Sequence, residues 1–252
     1  MIILGINPFH GASSAALVRD VKLVAAANEP SRRQEPILNS IEPQHVIPDC
    51  ERNMMSIGQR VMFYLRRPDY MRDRVRELLH RHEPRISPEA VRFCAAHLTR
   101  EQIGLEWGSG YSTRWYAERL GKLLSIEFSP YWHTKVSEMI RHLENVECRF
   151  IPVEHPLDQP TRLNYNPLPQ YVAVVTEFDD QSLDFIVVDG HYRQSCVKHA
   201  MAKLKKGGLL LLDDYWFLPL PEWGVPVSWP VVHKSSSSYK ATIIWRRPGA
   251  AV

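Results

Sequence analysis

Residues 104–113 read Gly-Leu-Glu-Trp-Gly-Ser-Gly-Tyr-Ser-Thr, and this stretch decides the fold. An apolar run ends at Glu106, glycines follow at 108 and 110, and Tyr111–Leu120 has the apolar spacing of a helix. The segment therefore predicts a strand, a tight turn and a helix N-terminus. Glycines let the backbone turn sharply and approach a ligand closely, while unpaired N–H groups at the helix start point towards that ligand.

The spacing after the glycines excludes two common nucleotide-binding patterns. A P-loop has a lysine followed by Ser or Thr after its last glycine, and no lysine follows here. The dinucleotide fingerprint has a third glycine at the position of Thr113. The remaining pattern is Glu-x-Gly-x-Gly, which an ordinary glycine-rich turn of any α/β protein would also show.

Glu-x-Gly-x-Gly resembles motif I of the class I S-adenosylmethionine (SAM) dependent methyltransferases. The resemblance implies that the turn holds the methionine part of SAM and that Glu106 lies at the end of the first strand of the domain. The cofactor-binding residues implied in this stretch are Glu106, Trp107, Gly108, Ser109, Gly110, Ser112 and Thr113.

Three later segments have strand patterns that end in acidic residues. Lys122–Glu127 lies about 20 residues after the turn, where a doubly wound fold places the carboxylate that binds a ribose. Glu127 is therefore the candidate ribose ligand, with a solvated charge at a strand end as the alternative. Residues 183–190 predict a buried parallel strand ending at Asp189, and residues 204–214 predict a helix end, a Gly-Gly break and another buried strand.

These segments resemble successive strands of the methyltransferase domain, over residues 101–248. The predicted fold class is α/β, a doubly wound, mostly parallel, seven-stranded Rossmann-like sheet that ends in an antiparallel pair. Glu154, near the end of the third strand, is a candidate for contact with the adenine amino group or a plain surface residue. The other predicted strands are Val146–Val153, Trp229–His233 and Lys240–Trp245, and the predicted helices are Pro88–His97, Tyr131–Leu143 and Gln194–Leu204.

Acids at the ends of neighbouring parallel strands are expected to lie close together. Strands are about 4.8 Å apart, so Asp189, Asp213 and Asp214 would repel one another unless something neutralises them. Mg²⁺ would do so, and the arrangement resembles the catechol-type O-methyltransferases, in which an acid and an Asp-Asn pair hold Mg²⁺. Here Asp214 stands in the Asn place. In the alternative interpretation, Asp213 and Asp214 cap backbone groups and face solvent.

Methyl transfer from a sulfonium requires the protein to position an acceptor and to remove one proton. His191 is the candidate base because the pKa of histidine lies near neutrality, with a surface residue or hydrogen-bond partner as the alternative. Asp189 is the second candidate catalytic residue. Four aromatic residues either wall an acceptor pocket or belong to the core, namely Tyr192, Tyr215, Trp216 and Trp223.

The segment before the methyltransferase pattern has a different character. Ile-Leu-Gly-Ile-Asn-Pro-Phe-His-Gly-Ala-Ser-Ser, within extended segments of residues 1–29, resembles the start of the carbamoyltransferases of antibiotic and nodulation-factor pathways. His10 would be functional in that family, whereas a structural hairpin is the alternative. The predicted organisation is an extended hairpin segment at 1–29, a linker and helical cover at 30–83 (helices Glu51–Arg66 and Pro68–His82), and a SAM-binding domain at 84–252.

Composition limits the classes of partner. A net charge of +3 and a pI near 8.6 are too mild to indicate nucleic acid, and no apolar run is long enough to span a membrane. Four cysteines without Cys-x-x-Cys spacing indicate reduced thiols in a cytoplasmic protein. The predicted helical cover has a basic face that is either solvated or attracts an anionic substrate, formed by Arg60, Arg72, Arg74, Arg76 and Arg81.

The expected function is SAM-dependent methyl transfer to an oxygen or nitrogen of a small metabolite or sugar in a biosynthetic pathway. Assembly into a homo-oligomer is left open. The alternative is a carbamoyltransferase-related accessory or interaction protein, in which the SAM fold serves only binding or structure.

Overall fold

Three short strands open the chain, β1 (Ile2–Leu4), β2 (Ala16–Arg19) and β3 (Lys22–Ala26), and they form an antiparallel sheet in that order. The computed structural model describes residues 82–155, 162–236 and 240–249, these three strands, and separate positions between residues 56 and 80. His10 and the predicted linker at 30–50 lie outside the described residues. The resemblance to carbamoyltransferases therefore stays a prediction.

The main sheet has seven strands. They are β4 (Ile103–Trp107), β5 (Lys122–Glu127), β6 (Val146–Phe150), β7 (Leu183–Val188), β8 (Leu204–Asp213), β9 (Val231–Ser236) and β10 (Ala241–Arg246). Their order in the sheet is β6-β5-β4-β7-β8-β10-β9. β10 runs antiparallel to both of its neighbours, and the pairings among the other five strands are parallel. The predicted doubly wound sheet with a final antiparallel pair is confirmed.

Strand order reverses beside β4, which has β5 on one side and β7 on the other. The chain moves outward from β4 through β5 to β6 and then returns to β7. In open α/β sheets, such a reversal leaves a crevice at the carboxyl ends of the strands, where ligands bind. The crevice of this protein therefore lies above the turn that follows β4.

Side-chain oxygens and prolines begin two of the helices. Ser87 accepts a hydrogen bond from the Ala90 N–H at the start of the first helix, and Ser129 does the same for the Trp132 N–H at the start of the third. A proline follows each cap, where its missing N–H costs nothing. The helices are α1 (Pro88–His97), α2 (Tyr111–Ala117), α3 (Pro130–Ile140), α4 (Gln170–Ala173) and α5 (Arg193–Lys203), with 3₁₀ turns at Val174–Glu177, Tyr215–Phe217 and Leu220–Trp223.

Apolar side chains cover both faces of the sheet. Successive strand residues point to opposite faces, so Leu105 and Trp107 belong to one core, whereas Phe185 and Val187 belong to the other. All four of these side chains are almost fully buried. Strands buried on both faces explain the continuous apolar runs in the sequence.

Several predicted boundaries were wrong. β8 begins at Leu204, directly after α5, so the Gly-Gly pair is inside a strand. Gly207 has φ +82°, and the register with β7 shifts there, which is the signature of a bulge. In the predicted helix at 51–66, Ser56 is described and is not helical.

Of the described helices, none has the length and apolarity that a membrane span needs.

Candidate active site

Glu106 is fully buried near the end of β4 and bound by three hydroxyl groups. Ser112 Oγ donates to Oε1 over 2.6 Å, and Thr113 Oγ1 and Ser125 Oγ donate to Oε2 over 2.7 and 2.6 Å. Burial raises the pKa of Glu106, and the three hydroxyl donors act in the opposite direction. These bonds connect β4, the start of α2 and β5, so the side chains of Glu106, Ser112 and Thr113 fix the shape of the turn.

The two glycines of the turn have different surroundings. Gly108 has φ +95°, and a Cβ there would lie 2.7 Å from the backbone of Asp189, so the protein itself requires glycine. Gly110 has an extended backbone at φ −174°, and a Cβ there would meet only Ser112 Oγ, at 3.8 Å. Nothing in the described protein requires glycine at Gly110, and the space beside it is open to a ligand.

Trp107 points away from the turn. Its side chain is fully buried in the core, and its indole N–H donates to the Tyr171 carbonyl over 2.8 Å. A cofactor contact by Trp107 would therefore come from its backbone. Ser109 lies on the other side, where its hydroxyl is 2.6 Å from that of Ser125 and 3.5 Å from the Cys148 thiol.

Glu127 ends β5 beside the turn and is 3% exposed. Its Oε1 accepts the backbone N–H groups of Phe128 over 3.0 Å and of Ser129 over 2.7 Å. Burial raises the pKa of Glu127 to about 7, while these N–H groups and that of Ser109 oppose the shift. A carboxylate has about four acceptor positions, so Glu127 keeps capacity for a ribose hydroxyl.

The loops after β5 and β7 meet across the end of β4. The rings of Phe128 and His191 stack there with centroids 4.1 Å apart and an angle of 21°. Glu154, the candidate adenine contact, is exposed, and its Oε1 accepts the Gln170 N–H over 3.1 Å at the start of α4. Its role towards a cofactor stays a prediction.

The structure brings together Asp189, Asp213 and Asp214. One carboxylate oxygen from each lies within 4.8 Å of those of the other two. The Asp213 side chain is fully buried and that of Asp214 is 9% exposed, whereas 27% of the Asp189 side chain is exposed. Asp189 is therefore the member of the cluster that is most accessible to an acceptor.

Sequence reasoning missed the cation that joins two of these acids. Arg193, at the start of α5 and nearly buried, lies with Nη2 3.1 Å from Asp189 Oδ1 and Nη1 3.5 Å from Asp214 Oδ2. The same guanidinium donates to the carbonyls of Gly190 and Asp213. The sequence signal for this ion pair was the position of Arg193, four residues after Asp189 at the start of a predicted helix.

A second cation, Lys240, comes from the hairpin. Its Nζ is 2.9 Å from Asp213 Oδ2 and 3.7 Å from Asp214 Oδ2, and Thr242 Oγ1 donates to Asp213 Oδ1 over 2.7 Å. Burial alone would lower the pKa of Lys240, but Asp213, Asp214 and Asp189 raise it above its usual range. Burial raises the pKa of Asp213 to about 7 against the effect of Lys240. Lys240 is therefore a charged ammonium at neutral pH.

These cations change the case for Mg²⁺. Carboxylate oxygens are the donors that Mg²⁺ prefers, but the oxygens of this cluster already accept bonds from Arg193, Lys240 and Thr242. As the side chains stand, the cluster does not fit a divalent cation, because the ion would have to displace protein cations. The positive charge that was expected to come from Mg²⁺ is supplied by Arg193 and Lys240.

Two of the four predicted wall residues are core residues. Tyr192 and Trp223 are fully buried, and the Trp223 indole N–H donates to the Tyr215 carbonyl over 2.9 Å. Trp216 is 44% exposed, and its indole N–H donates to Asp214 Oδ1 over 3.3 Å. Trp216 and the partly exposed Tyr215 therefore remain the candidates for an acceptor wall.

The chain is similar to several solved methyltransferase structures. A putative methyltransferase (yhhF) from Escherichia coli matches with 11% identity and a TM-score of 0.49, over 66% of this chain and 88% of that chain. An RNA methyltransferase from Salinibacter ruber, in complex with S-adenosyl-L-homocysteine, matches with 13% identity and a TM-score of 0.42, over 68% and 97%. The N-methyltransferase NodS from Bradyrhizobium japonicum matches with 12% identity and a TM-score of 0.41, over 68% and 96%.

The sequence matches no protein-family model and none of the curated proteins. The low identities and TM-scores of the solved structures identify neither an activity nor a substrate for this chain. The doubly wound fold rests on the strand order of the sheet itself.

Gly108→Ala and Gly110→Ala form a matched pair that separates folding from binding at the turn. Gly108→Ala should lower the free energy of unfolding by about 2–4 kcal/mol, because of its positive φ and the contact with the Asp189 backbone. Gly110→Ala should change it by less than about 1 kcal/mol yet weaken SAM binding at least about tenfold, because the methyl group fills the open space. Urea denaturation and calorimetry measure the two effects. Full SAM affinity in Gly110→Ala would place the cofactor elsewhere.

Proposed function

We propose that the protein is a SAM-dependent methyltransferase that acts on an oxygen or nitrogen of a small molecule. The observation that carries the proposal is the buried carboxylate of Glu127 beside an open glycine turn, at the point where strand order reverses. The Gly108 N–H donates to the Ile126 carbonyl over 3.0 Å, so the turn and the strand that ends in Glu127 are held together. A nucleoside bound to Glu127 would extend over this turn.

The residues present fit SAM on chemical grounds. The open space at Gly110 admits the methionine part close to the backbone, and Glu127 accepts from the ribose hydroxyls. When bound, SAM supplies a methyl group on a sulfonium, so the protein needs no covalent nucleophile. The residues of the chain would position the cofactor. The turn fixed by Glu106 would hold one end of it, and Glu127 would hold the other end.

The acceptor would lie over the ends of β7 and β8. Asp189 and His191, in the loop that follows β7, are the candidates for taking the acceptor proton. Burial raises the pKa of Asp189, and the Arg193 guanidinium, which binds its carboxylate, opposes that shift. A small hydroxyl or amine compound, neutral or anionic, placed there would meet the partly exposed Asp189 carboxylate, and Trp216 lies beside the same acids through its bond to Asp214.

The direct test is calorimetry with SAM, ATP and carbamoyl phosphate in parallel. SAM should bind with one site per chain, and the other two should not bind. Binding of ATP or carbamoyl phosphate instead of SAM would favour the carbamoyltransferase-related alternative. Methyl transfer from radiolabelled SAM to a panel of hydroxyl and amine compounds then identifies the acceptor.

Glu127→Gln should weaken SAM binding by about 10- to 100-fold, because a hydrogen bond to a charged group contributes roughly 1.5–3 kcal/mol. Calorimetry on the folded variant measures it. Urea denaturation should show that the glutamine variant remains folded. An unchanged dissociation constant would remove Glu127 from the site.

The pKa of Glu127, about 7, predicts a pH dependence of binding. Ribose hydroxyls donate to the ionised carboxylate and favour it, so SAM affinity should rise as the pH rises through 7, with release of a proton. Below pH 7 the affinity should fall by up to about tenfold per pH unit. Calorimetry in buffers of different ionisation enthalpy measures the proton. Glu127→Gln is the control, since any slope it retains belongs to the cofactor or to other groups.

His191→Ala and His191→Phe test whether the imidazole is the base. If it takes the acceptor proton, both variants should lower turnover by about 10²–10⁴-fold while SAM affinity changes little. If the ring only packs on Phe128, the phenylalanine variant should keep activity because it preserves the stack. The rate of methyl transfer to an acceptor from the panel distinguishes the two results.

A further inference from the structure

We infer that Lys240 and Arg193 take the place of a divalent cation at Asp189, Asp213 and Asp214, so that the cluster excludes metal ions while Lys240 is present. The inference deepens the proposed function, and it rests on that function only where it concerns turnover. Exclusion of metal is a property of the folded chain and can be measured without SAM or an acceptor.

The contacts of the cluster leave few oxygens for a metal ion. Asp213 uses Oδ1 for the Thr242 hydroxyl and Oδ2 for the Lys240 ammonium. Asp214 has Oδ2 between both cations and Oδ1 near the Trp216 indole N–H. Asp189 Oδ1 faces Arg193. An ion that needs several of these oxygens at about 2.1 Å would have to break most of these contacts.

The net charge of the cluster also disfavours a divalent cation. With all three carboxylates ionised, the acids and the two cations sum to −1, and adding Mg²⁺ would bring the cluster to +1 at a place where the Lys240 and Arg193 side chains are 11% and 5% exposed. Little water is present there to screen the repulsion between the ion and the ammonium. Without the Lys240 charge, the three acids and Arg193 sum to −2, which a divalent cation neutralises.

The fold brings both cations to the acids through elements that neighbour β7 and β8. Arg193 begins the helix that follows Asp189, and Lys240 directly precedes β10. β10 pairs antiparallel with β8 so that Thr242 lies opposite Asp213. Lys240 is thereby carried to the end of β8, where it contacts the last residue of that strand and the one after it. Each cation is therefore a side chain of the protein that the fold holds beside the acids.

Titration with Mn²⁺, followed by the electron paramagnetic resonance signal of the free ion, tests the inference. The wild-type chain should show no saturable site up to about 1 mM, the weak end of protein sites for divalent cations. Lys240→Gln should gain one site per chain, with at least about tenfold tighter binding than wild type. Lys240→Arg keeps the charge and should bind as little as wild type.

Lys203→Gln is the matched control, because Lys203 also forms an ion pair with an aspartate, Asp180, over 2.7 Å but lies outside the cluster. It should leave Mn²⁺ binding at the wild-type level. Near-ultraviolet circular dichroism checks that each variant is folded. If Lys240→Gln does not fold, the wild-type and Lys240→Arg titrations still decide the question.

Saturable binding of one Mn²⁺ to the wild-type chain, lost in Asp213→Asn, would overturn the inference. So would a folded Lys240→Gln that binds no Mn²⁺. For turnover, methyl transfer by the wild-type enzyme should be the same with a chelator and with added Mg²⁺. Failure of SAM to bind would refute the proposed function and leave the metal titration unaffected.

Discussion

The site depends on one buried carboxylate, Glu106, held by three hydroxyl groups. A carboxyl group inside a sheet is costly unless its oxygens are satisfied, and here the donors come from α2 and β5. Satisfying Glu106 therefore fixes the turn after β4 against the neighbouring strand. The position of this turn also determines where Gly110 lies relative to the carboxylate of Glu127, the two groups that we propose bind the cofactor.

A second group of charged residues lies at the ends of β7 and β8. Asp213 and Asp214 lie too deep to be solvated by water, and their ion pairs with Arg193 and Lys240 favour the ionised carboxylates against the burial that raises the pKa of Asp213. Asp189 shares Arg193 but remains partly exposed, so it is the carboxylate that can contact a ligand. The chain thus separates two buried acids at the end of β8 from Asp189, which follows β7 and is partly exposed.

The fold and the positions of the acids could be predicted because each signal is local. A glycine turn, a proline after Ser87 and apolar runs ending in acids all act within a few residues. The partners of the acids could not be predicted, because they depend on the register of the strands. Ser125 lies opposite Glu106 only once β4 and β5 pair, and Lys240 reaches Asp213 only because β10 pairs with β8. Strand alternation would have placed Trp107 in the core.

The crystal structure of the protein with S-adenosylhomocysteine tests the central claim most directly. The account predicts that the ribose hydroxyls lie within about 3.2 Å of the Glu127 carboxylate and that the amino-acid end of the ligand passes Gly110. A ligand bound in this crevice with its ribose away from Glu127, or bound at another part of the chain, would contradict it.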